Sequence, residues 1–236
     1  MKKTLFLLTI TIALASASGC QKKKKDKITE DDAAEAVTES MQKSSGGLSD
    51  DVEKSCSFID GITTGQWGPL HCGVMLDTTN TYTLTGSNVT AMYTQTRHYL
   101  LNCNNNIPQS IDMTGTHQGS YDGPRVTSST TGNRNWTVTG LNATFASYTY
   151  SGSLHRNGTY TSKVGNQRTF TTVVDASTSD LVVAKSNHAI ASGTATIAIA
   201  CTSSDGQVYS FTGGLVFNGN NTATLTINGN VYQITF

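Results

Sequence analysis

The sequence predicts an all-β protein: an antiparallel meander of hairpins that forms a sandwich or a partly open barrel, preceded by one short N-terminal helix. From Cys56 onward the chain consists of short runs of alternating polar and apolar residues, separated by Gly, Asn and Asp. The whole chain contains three prolines, and this body shows no helical hydrophobic period. Alternation with a period of two is typical of strands buried on one face. We therefore expect the apolar faces to be buried against each other.

Residues 1–19 are predicted to be a secretory signal peptide. Lys2 and Lys3 precede the run "TLFLLTITIALASASG", which is too short for a comfortable transmembrane helix. The segment Ala17-Ser18-Gly19-Cys20 resembles a bacterial lipobox, in which the signal is cut before the cysteine and that cysteine is lipidated. An ordinary signal peptide, cut after a triplet of small residues, is the alternative. We expect Cys20 to carry the lipid anchor.

The residues after Cys20 bear on the location of the protein. In lipoproteins of Gram-negative bacteria, an Asp directly after the cysteine favours retention in the inner membrane, whereas this chain has Gln21. The resemblance therefore implies the outer membrane, with the body on the periplasmic face or at the cell surface. Five lysines follow, which either attract an anionic leaflet or form a solvated spacer: Lys22, Lys23, Lys24, Lys25 and Lys27.

Residues 20–54 are predicted to be a lipidated tether with one short helix over about 29–45. Thr29 can cap the start of this helix, and acidic residues occupy its first turn. Gly46-Gly47 ends it. Its apolar stripe is thin and consists of Ala33, Ala36, Val37, Ser40 and Met41. We expect the helix to dock lightly on the body or to order part of the spacer.

Residues 55–236 are predicted to form a single antiparallel β domain, whose last hairpin can be read in register. Asn228-Gly229 separates "TATLTI" from "NVYQITF" and is a preferred sequence for a two-residue type I′ turn. This turn pairs Ile227 with Asn230. The same register then pairs Leu225 with Tyr232 and Ala223 with Ile234, so that the apolar residues share one face.

Three further hairpins are predicted upstream. A loop of Asn218-Gly219-Asn220 places Leu215 opposite Ala223. A loop over "TSSDG" brings Ile199 against Tyr209. A loop of Arg156-Asn157-Gly158 brings Leu154 against Tyr160. Each loop connects strands with one apolar face and one face rich in hydroxyl groups.

Two stretches of the chain resemble a known class of proteins. The segment "SSGGL" after the predicted helix and the ending "FNGNNTATLTINGNVYQITF" are similar to those of secreted all-β lipoproteins of Bacteroidota, whose function is mostly unknown. The resemblance implies an exported all-β lipoprotein. It implies no catalytic residues.

Without Cys20 the chain has an even number of cysteines, namely Cys56, Cys72, Cys103 and Cys201. In an exported chain this predicts two disulfides, for which three connectivities are open. We expect Cys56–Cys72, because these two flank a Gly-rich loop, and Cys103–Cys201, because each of these ends an apolar alternation. Metal binding is the rival interpretation, but the neighbours His71 and Cys72 point in opposite directions in an extended chain. No metal and no cofactor are expected.

The ionisable groups of the body are few and dispersed. All four glutamates precede Cys56, which excludes an HExxH motif from the body, and no GxSxG motif is present. A glycosidase needs two carboxylates around the scissile bond, so two aspartates of the body would have to converge. The candidates are Asp60, Asp77, Asp112, Asp122, Asp175, Asp180 and Asp205. The neutral body also carries no electrostatic footprint for nucleic acid.

These observations favour a non-catalytic envelope or surface module that binds a glycan or a protein partner. A hydrolase that uses dispersed aspartates is the alternative from another class, and a purely structural envelope component is a third. Thr78 is a candidate for O-glycosylation, because Asp77-Thr78-Thr79 resembles the short acceptor motif of Bacteroidota. Trp67, Trp136 and the tyrosines either form a platform for sugars or fill the core.

Overall fold

The structure is a computed structural model, and it describes residues 27–63, 71–164 and 167–236. The predicted signal peptide, Cys20 and Trp67 lie outside the described residues. The described chain begins with helix α1 (Glu30–Met41), a 3-10 turn (Lys43–Ser45) and helix α2 (Leu48–Thr63). Within the described ranges, no helix is long and apolar enough to cross a membrane.

In the described residues, ten strands follow the helices and form one antiparallel sheet in which each strand pairs with its neighbour in the chain. The predicted meander is confirmed. The strands are β1 (Met75–Thr85), β2 (Thr90–Asn104), β3 (Ile107–Asp122), β4 (Val126–Thr139), β5 (Ser147–Ser162), β6 (Thr169–Ala184), β7 (Ile190–Ser203), β8 (Val208–Gly219), β9 (Thr222–Ile227) and β10 (Asn230–Thr235).

The sheet curls around the helices and stays open. The apolar side chains of its inner face join those of α1 and α2 in one core. Tyr82 and Leu84 of β1 line the same cavity as Thr235 and Phe236 at the end of β10. The two edges of the sheet therefore approach each other, but no ladder of hydrogen bonds joins β1 to β10 in the described chain.

The outer face of the sheet carries the hydroxyl groups, as the sequence predicts. Strand β9 alternates between buried apolar residues and half-exposed threonines. Threonines also meet across strands on the outer face: the Oγ1 atoms of Thr79 and Thr96 are 3.2 Å apart, and those of Thr81 and Thr94 are 2.9 Å apart.

Helix α1 begins where the sequence predicts, but it ends at Met41, and the 3-10 turn Lys43–Ser45 occupies the rest of the predicted helix. The Thr29 side chain accepts a hydrogen bond from the Asp32 amide, and the Asp32 carboxylate accepts one from the Thr29 amide, which is a capping box. Gly46 has φ +67°, a left-handed conformation that suits glycine and stops the helical segment.

The prediction that this helix docks lightly is wrong. Ala33, Ala36 and Val37 are fully buried in the core. Helix α2, which the sequence analysis did not predict, crosses the predicted domain boundary between residues 54 and 55 and buries Val52 and Cys56. The helices belong to the same core as the sheet because the inner face of a single sheet needs another layer to cover it.

The predicted register of the last hairpin is confirmed. Ile227 pairs with Asn230, and the pairs Leu225 with Tyr232 and Ala223 with Ile234 follow. Asn228 and Gly229 have φ values of +48° and +91°. Positive φ at both central residues is what a type I′ turn requires, so a local conformational preference determines the register.

The three other predicted hairpin registers are wrong. Leu215 lies opposite Leu225, because Asn220 and Asn221 have positive φ values and form a tighter turn than predicted. Ile199 lies opposite Phe211, two residues from the predicted partner. The predicted loop of residues 156–158 lies inside strand β5.

Gly158 shows why this last segment is a strand. It lies opposite Thr130 of β4, and a Cβ atom at Gly158 would overlap the carbonyl oxygen of Ser129. The glycine therefore permits a close approach of two backbones within the sheet, where the sequence suggested a turn.

Candidate functional site

Two buried charge clusters attach the helices to the inner face of the sheet. In the first, Asp51 of α2 meets both Arg97 of β2 and Arg134 of β4; the Arg97 Nε to Asp51 Oδ1 distance is 2.9 Å. Trp136 donates its indole N–H to Asp51 Oδ2 over 3.1 Å. The side chains of all three charged residues are at most 2% exposed. One carboxylate thus forms ion pairs with two guanidinium groups in the interior.

The second cluster holds α1. Arg156 Nη2 lies 2.6 Å from Glu39 Oε1, and Tyr160 donates its hydroxyl to Glu39 Oε2 over 2.9 Å. Burial raises the pKa of Glu39, while Arg156 and the hydroxyls of Tyr160 and Ser128 act in the opposite direction. Both clusters are enclosed by protein, so their role is to orient the helices inside the sheet.

The structure contradicts the predicted disulfide pairing. Cys72 is bonded to Cys103, with a Cα–Cα distance of 5.6 Å, and Cys56 and Cys201 are free and buried. The β1–β2 register explains the bond: Met75 lies opposite Leu100, and continuing this register backwards brings Cys72 opposite Cys103. Burial raises the pKa of Cys56 to about 12 and that of Cys201 to about 11, so both are poor nucleophiles.

Asp112 and Asp180, two of the aspartates proposed for hydrolysis, do not converge in this sheet. Asp112 of β3 accepts hydrogen bonds from Asn102 and Thr137, and Asp180 of β6 accepts them from Thr194. The strand registers place Asp112 and Asp180 level with each other but three strands apart. Three strand spacings are about 14 Å, whereas the carboxylates of glycosidases are about 5–9.5 Å apart.

Asp77 and Asp175 instead pair with histidines of the neighbouring strands. Asp77 Oδ1 is 2.7 Å from His98 Nδ1, and Asp175 Oδ1 is 2.6 Å from His155 Nδ1. Both pairs are exposed to solvent on the outer face, where a cross-strand contact contributes little to stability.

Ser57, His188 and Asp60 lie together, a group that the sequence alone did not single out. Ser57 Oγ is 3.2 Å from His188 Nδ1, and His188 Nε2 is 2.6 Å from Asp60 Oδ2. A serine nucleophile must give its proton to the histidine. Here the Ser57 hydroxyl also donates to the Glu53 carbonyl over 2.9 Å within α2, which competes with His188 for that proton. The group links α2 to the loop between β6 and β7.

A groove lies between α2 and the edge strand β1. It consists of two adjoining cavities with volumes of about 490 Å³ and about 510 Å³. Lys54 and Tyr82 line both cavities, and we call the pair of cavities the edge groove. The first is lined by Lys54, Asp50, Tyr82, Leu84, Tyr93 and Phe236, among others, and the second by Lys54, Phe58, Leu76, Thr78, Tyr82 and Tyr99, among others.

Aromatic rings form part of the lining of the edge groove. The rings of Tyr82 and Tyr93 are 5.3 Å apart, and Phe58 stacks on Tyr99 at 4.2 Å. The Lys54 ammonium lies 5.0 Å from the centre of the Tyr82 ring. This cation therefore stands over an aromatic face at the point where the two cavities meet.

A buried carboxylate borders the first cavity. Asp50 is 1% exposed, and its Oδ2 atom has no hydrogen-bond partner among the described residues. Burial raises the pKa of Asp50, while the positive charges of Arg97 and Lys54 act in the opposite direction. The acid is held beside Lys54 and contributes to the polarity of that end of the groove.

The structure places some of the residues proposed for sugar contacts in the core and others in the edge groove. Trp136 is buried and bonded to Asp51, so it fills the core and forms no platform. Thr78 is half-buried and lines the second cavity of the edge groove. Its O-glycosylation stays a prediction. Of the tyrosines of the groove, which the sequence named only as a class, Tyr82 is half-buried and lines both cavities, whereas Tyr93 and Tyr99 are buried.

Comparison with models of protein families, with curated proteins and with solved structures gives no match to this chain. In the described part of the chain, the edge groove and the outer edge of β1 beside it are the features on which a function can be based.

Proposed function

We propose that this chain is an outer-membrane lipoprotein, anchored through Cys20, whose β domain binds a glycan or a protein partner in the edge groove without covalent chemistry. The edge groove is the observation that carries this proposal. Each of its two cavities, at about 490 and 510 Å³, is within the size range of ligand sites in proteins. Aromatic walls with a few polar groups are also typical of such sites.

The groups in the groove are suited to binding. The Tyr82 ring lines both cavities, and an aromatic face packs well against a sugar ring or an apolar side chain. Lys54 can attract an acidic or polar group at the junction of the cavities. The strongly buried carboxylates Asp51 and Glu39 are held in ion pairs with arginines and do not face the groove lining.

We expect Tyr82→Ala to weaken ligand binding by at least about tenfold, because truncation of an aromatic anchor in an interface commonly costs about 2 kcal/mol. The measurement uses the full chain in detergent, arrays of bacterial glycans and of peptides to find ligands, and titration of each ligand found. Tyr209→Ala is the matched control, because Tyr209 is also packed partly against the core but does not line the groove.

Two results would contradict the binding function. One is the absence of any ligand from both arrays. The other is turnover of glycosides, esters or peptides by the full chain that is abolished by Ser57→Ala or by Asp180→Asn, because these residues belong to the two hydrolytic arrangements considered above.

We also expect Cys20→Ala to release the processed chain from the membrane fraction. Burial of acyl chains contributes about 0.8 kcal/mol per CH₂ group, so several chains hold a protein firmly. Replacement of the five lysines of residues 22–27 by glutamine is the control, and it should leave the chain in the membrane fraction. A Cys20→Ala chain that resists washing with high salt and carbonate would place the anchor elsewhere.

A further inference from the structure

We infer that the partner of the edge groove is an extended polypeptide segment that pairs with β1 as an added strand. This inference rests on the proposed function, because it names the class of partner that the groove binds. Three observations support it: the direction of the β1 backbone groups, the lack of protection along this edge, and the arrangement of the two cavities beside it.

The backbone of β1 offers free hydrogen-bonding groups along its outer edge. The Gly86 amide donates to the Val89 carbonyl over 2.8 Å, next to the pair Thr85–Thr90. Hydrogen-bonded and non-hydrogen-bonded pairs alternate in an antiparallel ladder. The odd-numbered residues of β1 are therefore in non-hydrogen-bonded pairs, and their N–H and C=O groups point away from β2. These residues include Asp77, Thr79, Thr81 and Thr83.

The side chains agree with this assignment. Residues in non-hydrogen-bonded pairs are closer together than those in hydrogen-bonded pairs. Thr79 and Thr81 are odd-numbered, and each makes a direct hydroxyl contact with the threonine opposite, at 3.2 and 2.9 Å. The backbone hydrogen bonds and the side-chain contacts thus identify the same residues of β1 as those whose N–H and C=O groups point away from β2.

Strand β1 lacks the features by which proteins usually protect an edge. Charged lysines, prolines, bulges and short lengths discourage pairing with another chain. Strand β1 has eleven residues, contains no lysine and no proline, and pairs with β2 without a shift in register. Strand β10, at the other edge, has six residues. The long and regular edge is therefore the one suited to strand addition.

The edge groove runs along this backbone edge. The second cavity touches five consecutive residues of β1, from Leu76 to Asn80, and the first touches Tyr82, Thr83 and Leu84. Consecutive residues of a strand point to opposite faces, so a cavity that touches all of them borders the edge of the strand and not one face. A polypeptide in this place would lie beside β1.

The cavities also predict which side chains such a segment carries. Their contacts on β1 are centred near Thr79 and Thr83, so side chains four positions apart in the added strand, about 14 Å, reach one cavity each. The aromatic linings favour large apolar side chains at both positions. Lys54 lies between the cavities and favours Asp or Glu at the position midway. In strand addition, the main chain provides affinity and such pockets provide specificity.

The test uses fluorescent peptides of about nine residues, which is enough to span both cavities. In each peptide, the side chains that face away from the groove are threonine. The three side chains that face the groove are varied, with phenylalanine, serine, glutamate or lysine at each position. Binding to the full chain in detergent is measured by anisotropy. We expect the pattern Phe-x-Glu-x-Phe to bind best, and lysine at the middle position to weaken binding by at least about tenfold because it faces Lys54.

Thr79→Pro and Thr79→Val form a matched pair of variants. Both remove the hydroxyl that contacts Thr96, but only proline removes the outward N–H and places a ring along the edge. We expect Thr79→Val to bind the best peptide within about threefold of the unchanged chain, and Thr79→Pro to bind it at least about tenfold more weakly. Hydrogen exchange gives a second readout: the peptide should slow exchange of the Thr79, Thr81 and Thr83 amides in the unchanged chain, even if Thr79→Pro fails to fold.

Several outcomes would overturn strand addition. These are the absence of binding by every peptide, equal binding by a folded Thr79→Pro chain, and peptide binding that leaves the outward β1 amides unprotected. A glycan that binds in a Tyr82-dependent way, while no peptide binds, would uphold the proposed function and overturn this inference. A dimer that Thr79→Pro dissociates, without peptide binding, would assign the edge to a second copy of this chain.

Discussion

Asp51→Asn should lower the free energy of unfolding by about 3–5 kcal/mol, because removal of one partner from a buried ion cluster leaves uncompensated charge in the interior. Asp51 is the carboxylate that Arg97 and Arg134 share, and all three side chains are almost fully buried. Asparagine has nearly the same shape and can still accept the indole N–H of Trp136. The decrease in the free energy of unfolding would therefore result from the missing negative charge and not from a cavity.

The measurement is urea denaturation of the full chain, followed by tryptophan fluorescence. The control is Glu53→Gln, which breaks the ion pair with Lys43. The Glu53 side chain is 33% exposed and the Lys43 side chain is 53% exposed. Exposed pairs contribute at most about 1 kcal/mol. If Asp51→Asn costs no more than Glu53→Gln, the Asp51 cluster does not attach α2 to the sheet.

Loss of the Cys72–Cys103 disulfide is expected to cost about 3–4 kcal/mol in the chain-entropy model. The bond closes a loop with a sequence separation of 31 residues, which contains the β1–β2 hairpin. Without the bond the unfolded chain gains conformational freedom, so the double variant Cys72→Ser, Cys103→Ser should unfold at a lower urea concentration. Because β1 forms the wall of the edge groove, the same variant also tests whether the groove depends on this bond.

Reduction of the unchanged chain is the control for the serine variant. Both treatments remove the same bond, so reduction should lower the stability to that of the double variant and should not change the variant itself. Peptide mapping without reduction should find Cys72 joined to Cys103, with Cys56 and Cys201 alkylated only after unfolding. A peptide that joins Cys56 to Cys72 would contradict the structure.

Some elements of this fold follow from a few neighbouring residues. The Asn228-Gly229 turn was predicted with its register, because both residues readily adopt positive φ and thereby align the strands on either side. The start of α1 at Thr29 was predicted because a cap depends on residues three positions apart. Such features are encoded locally, so the surrounding structure leaves them unchanged.

Helix α2 was missed although its sequence contains a helical period. Leu48, Val52, Cys56 and Ile59 recur every three or four residues and are buried on one side of the helix. The predicted boundary between residues 54 and 55 divides this segment between the end of a tether and the start of a β domain. A search for helical period across residues 45–65 would have found the helix, and with it a reason to place both helices in the core.

The cysteine pairing shows where local patterns fail. Cys56 and Cys72 are near each other in sequence, but Cys56 lies in α2 and its sulfur contacts the Tyr150 hydroxyl at 3.1 Å. The register of the β1–β2 hairpin brings Cys72 to Cys103 instead. A disulfide forms between the cysteines that the fold places within about 6 Å, and sequence distance does not measure this.

The sequence by itself determined the all-β class, the antiparallel meander, the alternation of apolar and hydroxyl faces, the last turn and the start of the first helix. These depend on the period of two along each strand and on the conformations of single residues. Only the tertiary structure decided that the helices fill the curled sheet, that arginines of the sheet neutralise helix carboxylates, and that β1 borders an open groove. Asp51 meets Arg97 and Trp136 across 46 and 85 residues of chain. Contacts between residues so far apart in the sequence depend on how the sheet bends around the helices, and no short sequence pattern determines that bend.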